Sequence, residues 1–369
     1  MTGSPPPIPH DEELPIATEL LRPEQAAAHL RAHLAAAPPF DTVRIRYVAY
    51  TPGEQITVQL QGIHATGRFD AAVTATPHAQ QVFQYPDDPA LPLLGNPVAI
   101  AAALDLVHHS PRERLAWVPT QRAALRLGPT VVKLYAEPGA AVDSFRLMQL
   151  AVDAVPTALP QAVDGRRGLV AQTLVPGRTL ERSDALAWAP RAVALLEQLR
   201  DAELADLAVV GPDELLAMAE GPVALVGFVR PELGARLQRA AAVLHRTRPR
   251  PRRRDHRPCH GDFNVGQLLA DGERLTVVDV DTLCAAAPAF DLAAFATNVI
   301  SGRPGDIGDA AAILRAVERA CTRPPEDLSW YVGATVLRRV DRAIRRFKGD
   351  WPERTAALVV AVEQAAAAL

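Results

Sequence analysis

Two aspartates and a glutamine lie close together in the stretch CHGDFNVGQLLADGERLTVVDVD, residues 259–281. The stretch reads as a loop, a short strand, a tight turn at an Asp-Gly pair and a returning strand. This hairpin is expected to bring Asp262 and Gln267 of the loop to the same mouth as Asp279, which ends the returning strand. Their carboxylate and amide oxygens are the hard donors that Mg²⁺ accepts together with water and phosphate oxygens.

Phosphoryl transfer needs this set of groups. One carboxylate orients the attacking hydroxyl and takes its proton, while an amide and a second carboxylate hold the metal. The alternative is a polar surface loop with two unrelated aspartates. It requires the His-Gly-Asp triplet, the five-residue step from Asp262 to Gln267, the hairpin and the Asp-x-Asp pair to coincide by chance. The pattern therefore favours a catalytic site.

Composition favours a folded intracellular protein. The 369 residues, 49% of them hydrophobic, can bury a large interior in two or three domains. Cys259, Cys284 and Cys321 form no CxxC pair, which argues against a disulfide framework or a thiolate zinc site. The net charge of -3 gives no global attraction for nucleic acid. No targeting segment or membrane span is apparent, so no membrane partner is expected and the expected location is the cytoplasm.

The N-terminal part is expected to form a small unit of its own. Residues 1–16 are rich in proline and acidic side chains, which is typical of a disordered lead. Residues 17–112 contain VRIRYVAYTPGEQITVQLQGI, whose alternation around a Pro-Gly turn predicts a hairpin with Val43, Ile45 and Tyr47 on one face. AAVTATP is expected to add a third strand and AIAAALDLV a short helix, which makes this an α+β unit.

A second group of strands precedes a long series of helices. LAWVPTQRAALRLGPTVVKLYA predicts three strands, and the third carries Lys133 among apolar residues, where a lysine needs a partner. A helix through VDSFRLMQLAVDAV and a buried strand in RGLVAQTL complete residues 113–177. Residues 178–369 carry apolar side chains mainly at helical spacing. Strands first and helices second indicate an α+β fold with segregated lobes.

The segment HGDFNVGQ, followed by VVDVD and AFDLAAF, resembles the catalytic segment of the aminoglycoside-phosphotransferase and choline-kinase-like superfamily. That resemblance implies the bilobal protein-kinase-like fold, with a β-rich N-lobe over residues 113–177 and a helical C-lobe over residues 178–369. Gln267 in the loop resembles the glutamine variant of this loop in the maltokinase-like members. Residues 17–112 resemble the extra N-terminal cap of those kinases.

The resemblance implies roles for the residues of the segment. Asp262 corresponds to the catalytic carboxylate, and His260 to a neighbour that braces the backbone, with general-base action by His260 as the alternative. Gln267 and Asp279 correspond to ligands of Mg²⁺, and Asp281 assists through water. The acceptor hydroxyl is expected to attack the γ-phosphorus of ATP in line.

The resemblance also implies a nucleotide site. Lys133 corresponds to the lysine that contacts the α- and β-phosphates, and Gln172 to Leu174 to the hinge whose backbone meets the adenine. Asp143 is the nearest acidic residue that could pair with Lys133. Asp291 in AFDLAAF is implied to cap the following helix and brace the catalytic loop.

Three departures from the family pattern leave a second function class open. Gln267 replaces the usual asparagine, the loop PTQRAA has no glycine to cradle phosphates, and no glutamate follows Lys133 on the next helix. The two classes are therefore a kinase and a nucleotide-binding pseudokinase that acts as a scaffold or regulator. The retained aspartates favour an ATP- and Mg²⁺-dependent kinase for a hydroxyl of a sugar, amino sugar or aminoglycoside-like acceptor.

Two arginine-rich stretches admit alternatives as well. Residues 245–258 carry seven arginines but no aromatic residue for base stacking, which favours a solvated linker over a nucleic-acid site. In LRRVDRAIRRF the arginines are expected to form a solvated helix face. The alternative is that Asp341 and nearby Trp330 line an acceptor pocket.

Overall fold

The computed structural model describes residues 8–34, 40–65, 67–107, 112–250, 252 and 255–369. In chain order these residues form an N-terminal cap, a sheet-rich lobe and a helix-rich lobe. This order is the α+β organisation with segregated lobes that the sequence predicts. Among the helices of these residues, none has both the length and the apolar character needed to cross a membrane.

The cap combines an antiparallel sheet with short helices. Its elements are α1 (Ile16–Leu20), α2 (Pro23–His33), β1 (Thr42–Thr51), β2 (Gln55–His64), β3 (Gly67–Ala75), β4 (Gln80–Gln84) and α3 (Pro97–Ala103). The register of β1 against β2 shifts between Ile45 and Tyr47, where a bulge adds one residue to the strand. Beyond the bulge Val48 and Tyr50 are buried, whereas Tyr47, expected on the inner face, is only half-buried.

The chain before α1 is packed into the cap rather than forming a disordered lead. The Asp11 carboxylate is buried and accepts hydrogen bonds from the amides of Leu14, at 3.0 Å, and Gly53, at 2.8 Å. Leu14 itself is buried in the core. The expected disorder therefore does not hold for residues 8–16, and the first seven residues lie outside the part of the chain that is described.

The sheet-rich lobe is a five-stranded antiparallel sheet with one long helix against it. Its elements are β5 (Arg112–Val118), β6 (Arg122–Leu127), β7 (Thr130–Tyr135), α4 (Pro138–Val152), β8 (Pro160–Asp164) and β9 (Leu169–Thr173). The strand order is β5-β6-β7-β9-β8, so Lys133 lies on the central strand. The predicted breaks at Pro119 and at Gly128-Pro129 fall between strands, as expected.

The helix-rich lobe surrounds two small sheets. Its elements are β10 (Arg178–Thr179), α5 (Ala185–Arg200), β11 (Val209–Val210), α6 (Pro212–Val229), α7 (Pro231–Thr247), β12 (Arg257–Cys259), β13 (Leu268–Asp271), β14 (Arg274–Val277), β15 (Cys284–Ala286), α8 (Ala289–Thr297), α9 (Asp306–Ala320), α10 (Leu328–Arg338), α11 (Arg342–Arg345) and α12 (Trp351–Ala367). The predicted hairpin is β13-β14, and β10 pairs with its first strand.

Both arginine-rich stretches differ from a simple solvated surface. The single helix expected over LRRVDRAIRRF is interrupted at residues 339–341, between α10 and α11. Arg345 and Arg346 are exposed, but Arg339 and Arg342 are half-buried. In the other stretch Arg248 pairs with Asp213 of α6 at 3.0 Å, while residues 251, 253 and 254 lie outside the described chain.

The cap contacts both lobes. On one side the Trp117 indole of β5 donates to the Asp88 carboxylate at 2.9 Å, and a hydrophobic cluster joins Phe83 of the cap to the sheet-rich lobe. On the other side the Tyr50 ring of the cap meets the Phe228 ring of α6 edge-on, with 5.9 Å between centroids. The cap therefore spans the junction of the two lobes.

Candidate active site

The loop after β12 is braced from inside the protein. His260 is fully buried, and its Nε2 donates to the Val278 carbonyl at 3.0 Å, which leaves Nδ1 to accept from the Asp262 amide at 3.4 Å. The Asp291 carboxylate in the first turn of α8 accepts from the amides of His260, at 2.5 Å, and Gly261, at 3.0 Å. Because backbone groups engage both of its ring nitrogens, His260 positions the loop.

Gly261 is required by the loop geometry. Its φ is +86°, and a Cβ added there would lie 2.1 Å from the Thr282 carbonyl oxygen. We expect Gly261→Ala to lower the free energy of unfolding by roughly 2 to 3 kcal/mol, through backbone strain plus displacement of Thr282. Chemical denaturation measures this. Gly272→Ala is the matched control, since its φ is +57° but no atom lies within 4 Å, and a loss as large as that of Gly261→Ala would contradict the assignment.

Asp262 projects from this braced loop. Its side chain is 43% exposed, and Oδ1 accepts a hydrogen bond from Arg339 Nη2 at 2.8 Å. Arg339 follows the last turn of α10 and was expected on a solvated face. The arginines of LRRVDRAIRRF are visible in the sequence, but helical periodicity does not show that Arg339 contacts Asp262.

Asp279 joins the two lobes. Lys133 Nζ on β7 lies 2.6 Å from Asp279 Oδ1, and Gln267 Nε2 donates to Asp279 Oδ2 at 3.2 Å. Burial alone would raise the pKa of Asp279, but the charge and hydrogen bond of Lys133 lower it to about 2. Asp279 has left-handed φ and ψ of 62° and 48°, an unusual backbone conformation for a residue other than glycine. The predicted convergence of Gln267 and Asp279 is therefore present.

Asp281 links Lys133 to helix α4. Its carboxylate lies 2.8 Å from Lys133 Nζ, accepts a hydrogen bond from Ser144 Oγ at 2.8 Å and accepts another from the Tyr135 hydroxyl. Burial, and then the Asp281 charge, raise the pKa of Tyr135. Asp143, the expected partner of Lys133, is exposed on α4. Lys133 is therefore connected to α4 through Asp281 and Ser144, and not through an acidic residue on the helix as expected.

Gln172 and Leu174, the expected hinge residues, lie beside the central strand. Gln172 is buried in β9 opposite Val131 of β7. Leu174, just after the strand, is half-buried and its amide donates to the Pro129 carbonyl at 2.8 Å. The Leu174 amide is therefore already engaged, so an adenine in this place would need another backbone group.

The expected acceptor residues Trp330 and Asp341 lie in the packed interior. Trp330 is buried and its indole donates to the Leu244 carbonyl at 2.9 Å. Asp341 is buried and its carboxylate lies 2.7 Å from Arg345 Nε. These contacts engage both side chains within the helix-rich lobe.

Comparison with known proteins identifies the fold. Choline kinase LicA from Streptococcus pneumoniae superposes with a TM-score of 0.53 at 15% identity over 72% of this chain and 96% of that chain. The aminoglycoside phosphotransferase APH(4)-Ia, as a thermostable mutant with ADP and hygromycin B, gives a TM-score of 0.53 at 16% identity over 74% and 98%. Amicoumacin kinase hAmiN gives 0.53 at 12% identity over 72% and 92%.

These likenesses identify the bilobal protein-kinase-like fold. The comparison with curated proteins found no matching sequence. The model of the phosphotransferase enzyme family (APH) matches residues 119–331, more than half of the chain. The matched range contains Lys133, the braced loop and both aspartates that lie against the lysine. The chain therefore belongs to the phosphotransferase enzyme family and is an enzyme that phosphorylates a hydroxyl group.

Proposed function

We propose that this enzyme transfers the γ-phosphoryl group of ATP to a hydroxyl of a small polar acceptor such as a sugar or an amino sugar. One observation carries the proposal: Lys133 of the sheet-rich lobe lies 2.6 Å from Asp279 of the helix-rich lobe, and Gln267 of the Asp262 loop is hydrogen-bonded to that same Asp279. A lysine, a carboxylate and an amide suited to Mg²⁺ are thus joined in one contact network, and the loop that supplies the amide also carries the Asp262 carboxylate.

The donor set fits a magnesium ion. Asp279 and Gln267 offer carboxylate and amide oxygens, and Mg²⁺ in such sites takes only one or two carboxylates and completes its shell with water and phosphate oxygens. Asp281 is enclosed by Lys133, Tyr135 and Ser144, so we assign it to holding the lysine. When bound, the ion would neutralise charge on the phosphates.

The residues of this chain supply orientation and charge. Lys133 would contact the α- and β-phosphates, since two carboxylates hold its ammonium in place between the lobes. Asp262 would orient the acceptor hydroxyl and take its proton. Its half-exposed carboxylate lies on a loop whose backbone is fixed by His260 and Asp291. Such preorganisation is the main source of rate in phosphoryl transfer.

On the sequence alone, the competing class is a nucleotide-binding pseudokinase. The glycine-free loop PTQRAA and the missing helix glutamate motivate it. Asp262, Asp279 and Lys133 are nevertheless all present, and Ser144 with Asp281 replaces the glutamate contact. These contacts and the family match favour an enzyme. We also propose that the enzyme belongs to the maltokinase-like kinases, on the basis of Gln267 and the cap. We propose a cytoplasmic location because the reaction needs ATP.

Nucleotide binding and turnover test the proposal together. We expect ATP to raise the melting temperature more with Mg²⁺ than without it, and ADP release to appear with at least one member of a panel of sugars, amino sugars and aminoglycosides. The aminoglycosides are included because a phosphotransferase of similar fold was solved with hygromycin B. Nucleotide binding without turnover on any acceptor would favour the pseudokinase.

A further inference from the structure

A strongly basic cavity lies in the helix-rich lobe. Its volume is about 230 Å³. Six cationic side chains line it: Arg182, Arg303, Arg342, Arg346, Lys348 and Arg354. Arg182, Arg342 and Arg354 are half-buried, and the other three are exposed around the rim. Ser301 and Ala343 complete the lining, which contains no carboxylate.

Most of these cations lack a counter-charge. Within the described part of the chain, Arg354 pairs with Asp350 at 2.6 Å, but none of the other five forms an ion pair. Arg342 donates to the Asn298 carbonyl at 2.9 Å and Arg182 to the Val299 carbonyl at 3.4 Å. These neutral acceptors orient the two guanidinium groups without cancelling their charge.

The buried Asp306 carboxylate, whose charge acts on Arg182, has other hydrogen-bond partners. Asp306 Oδ2 accepts hydrogen bonds from the Ser301 amide, at 2.7 Å, the Ser301 hydroxyl, at 2.9 Å, and the Arg303 amide, at 2.9 Å. It therefore fixes the loop that carries Ser301 and Arg303 at the edge of the cavity. The backbone that carries Ser301 and Arg303 is therefore held in place by hydrogen bonds to Asp306.

The cations also repel one another. Burial, and then the charges of Arg182 and Arg346, lower the pKa of Arg342 to about 9. Burial and the neighbouring charges lower the pKa of Arg182 and of Lys348 as well. A bound anion would offset this repulsion, and arginine presents paired N–H donors that match phosphate and carboxylate oxygens.

One stretch of chain carries both the Asp262 partner and part of the cavity lining, and the charge of Asp262 acts on Arg342, where it opposes the lowering of the pKa by burial. Arg339 donates to Asp262 at 2.8 Å, and Arg342 and Arg346, which line the cavity, follow three and seven residues later in the chain. A wider cavity of about 1190 Å³ between the cap and the helix-rich lobe shares Arg346 and Lys348 with the basic cavity. The cap contributes Arg22, Arg44 and Arg46 to it, against Glu24 as the acidic lining residue.

We propose that the acceptor carries an anionic group, a phosphate monoester or a carboxylate, which the basic cavity binds while Asp262 orients the acceptor hydroxyl. This inference rests on the proposed kinase function and narrows it, because a cavity of like positive charges disfavours polycationic acceptors such as aminoglycosides. Arg339, which donates to Asp262 at 2.8 Å, is a positioning residue for that carboxylate.

Binding of inorganic sulfate tests the anion site without any turnover. We expect calorimetry to detect sulfate binding to the wild type and to show binding at least about tenfold weaker in Arg303→Gln/Arg346→Gln, since each charge-assisted hydrogen bond contributes at least that factor. Both residues are exposed, so the fold is preserved, and Arg182→Gln/Arg342→Gln probes the deeper pair. Arg319→Gln on α9 is the matched control and should bind like the wild type. Equal sulfate affinity in all variants, or none in the wild type, would overturn the inference.

An acceptor panel then identifies the anion. ADP release is compared for glucose, glucosamine, kanamycin, glucose 6-phosphate and glucuronate, with sulfate as inhibitor. Preference for the phosphate or the acid, competitive inhibition by sulfate and a KM raised in the rim variant with little change in kcat support the inference. Turnover on neutral or cationic acceptors that sulfate does not inhibit overturns it and leaves the kinase standing. Sulfate binding with no turnover on any acceptor contradicts the kinase and leaves the anion site standing.

Discussion

Asp262→Asn is expected to lower kcat by about a thousandfold while the affinity for nucleotide stays close to that of the wild type. Asparagine keeps the shape of the side chain and an oxygen that can accept from Arg339 Nη2, which lies 2.8 Å from Asp262 Oδ1. It cannot take the proton of the acceptor hydroxyl. Since the Asp262 side chain is 43% exposed, the fold should be preserved.

The measurement is ADP release under saturating Mg²⁺-ATP and acceptor, with nucleotide affinity from calorimetry. Asp271→Asn is the matched control. Asp271 is exposed at the end of β13 in the same hairpin, and its substitution removes the same charge. It should retain wild-type turnover. If Asp262→Asn kept more than about a tenth of kcat, proton transfer to this carboxylate would not be a significant part of catalysis.

Asp279→Asn is expected to abolish the effect of Mg²⁺ on nucleotide binding and to lower turnover by at least about a hundredfold. The substitution removes the charge that faces Lys133 and a metal-type oxygen beside Gln267. Asparagine is the appropriate replacement because it tolerates the left-handed backbone of this position, where φ is 62°. Lys133 keeps its contact with Asp281, so the two lobes should remain joined.

The measurement for Asp279→Asn is the rise in melting temperature caused by ATP, with and without Mg²⁺. The wild type should show a clear difference between the two conditions, and the variant should show the same small shift in both. Circular dichroism checks that the fold is intact. A variant that still responded to Mg²⁺ like the wild type would remove Asp279 from the proposed metal site.

The parts of the site that sequence could predict are those formed by local structure. The hairpin that returns Asp279 toward Gln267 follows from a turn sequence and alternation within 23 residues, 259–281. Lys133 was conspicuous as a charge within an apolar strand. Each signal is contained in one short segment, and the structure brings these segments together at 2.6 Å and 3.2 Å.

The parts that sequence could not predict depend on partners far along the chain. Arg339 reaches Asp262 across 77 residues, and helical periodicity shows only that it is polar. Asp281 rather than Asp143 meets Lys133, because the direction of a side chain on α4 depends on how the helix packs. The bulge after Ile45 exchanged the inner and outer faces of β1, which a strict period of two does not reveal.

The cap is expected to affect the stability of the whole chain. Because Asp88 holds Trp117 on one side and Tyr50 meets Phe228 on the other, removal of residues 8–107 would uncover aromatic and aliphatic surfaces on both lobes at once. The angle between the lobes would lose its outer constraint, and the truncated protein would tend to aggregate. Because the cap packs against both lobes, we expect its unfolding to be coupled to theirs rather than independent of it.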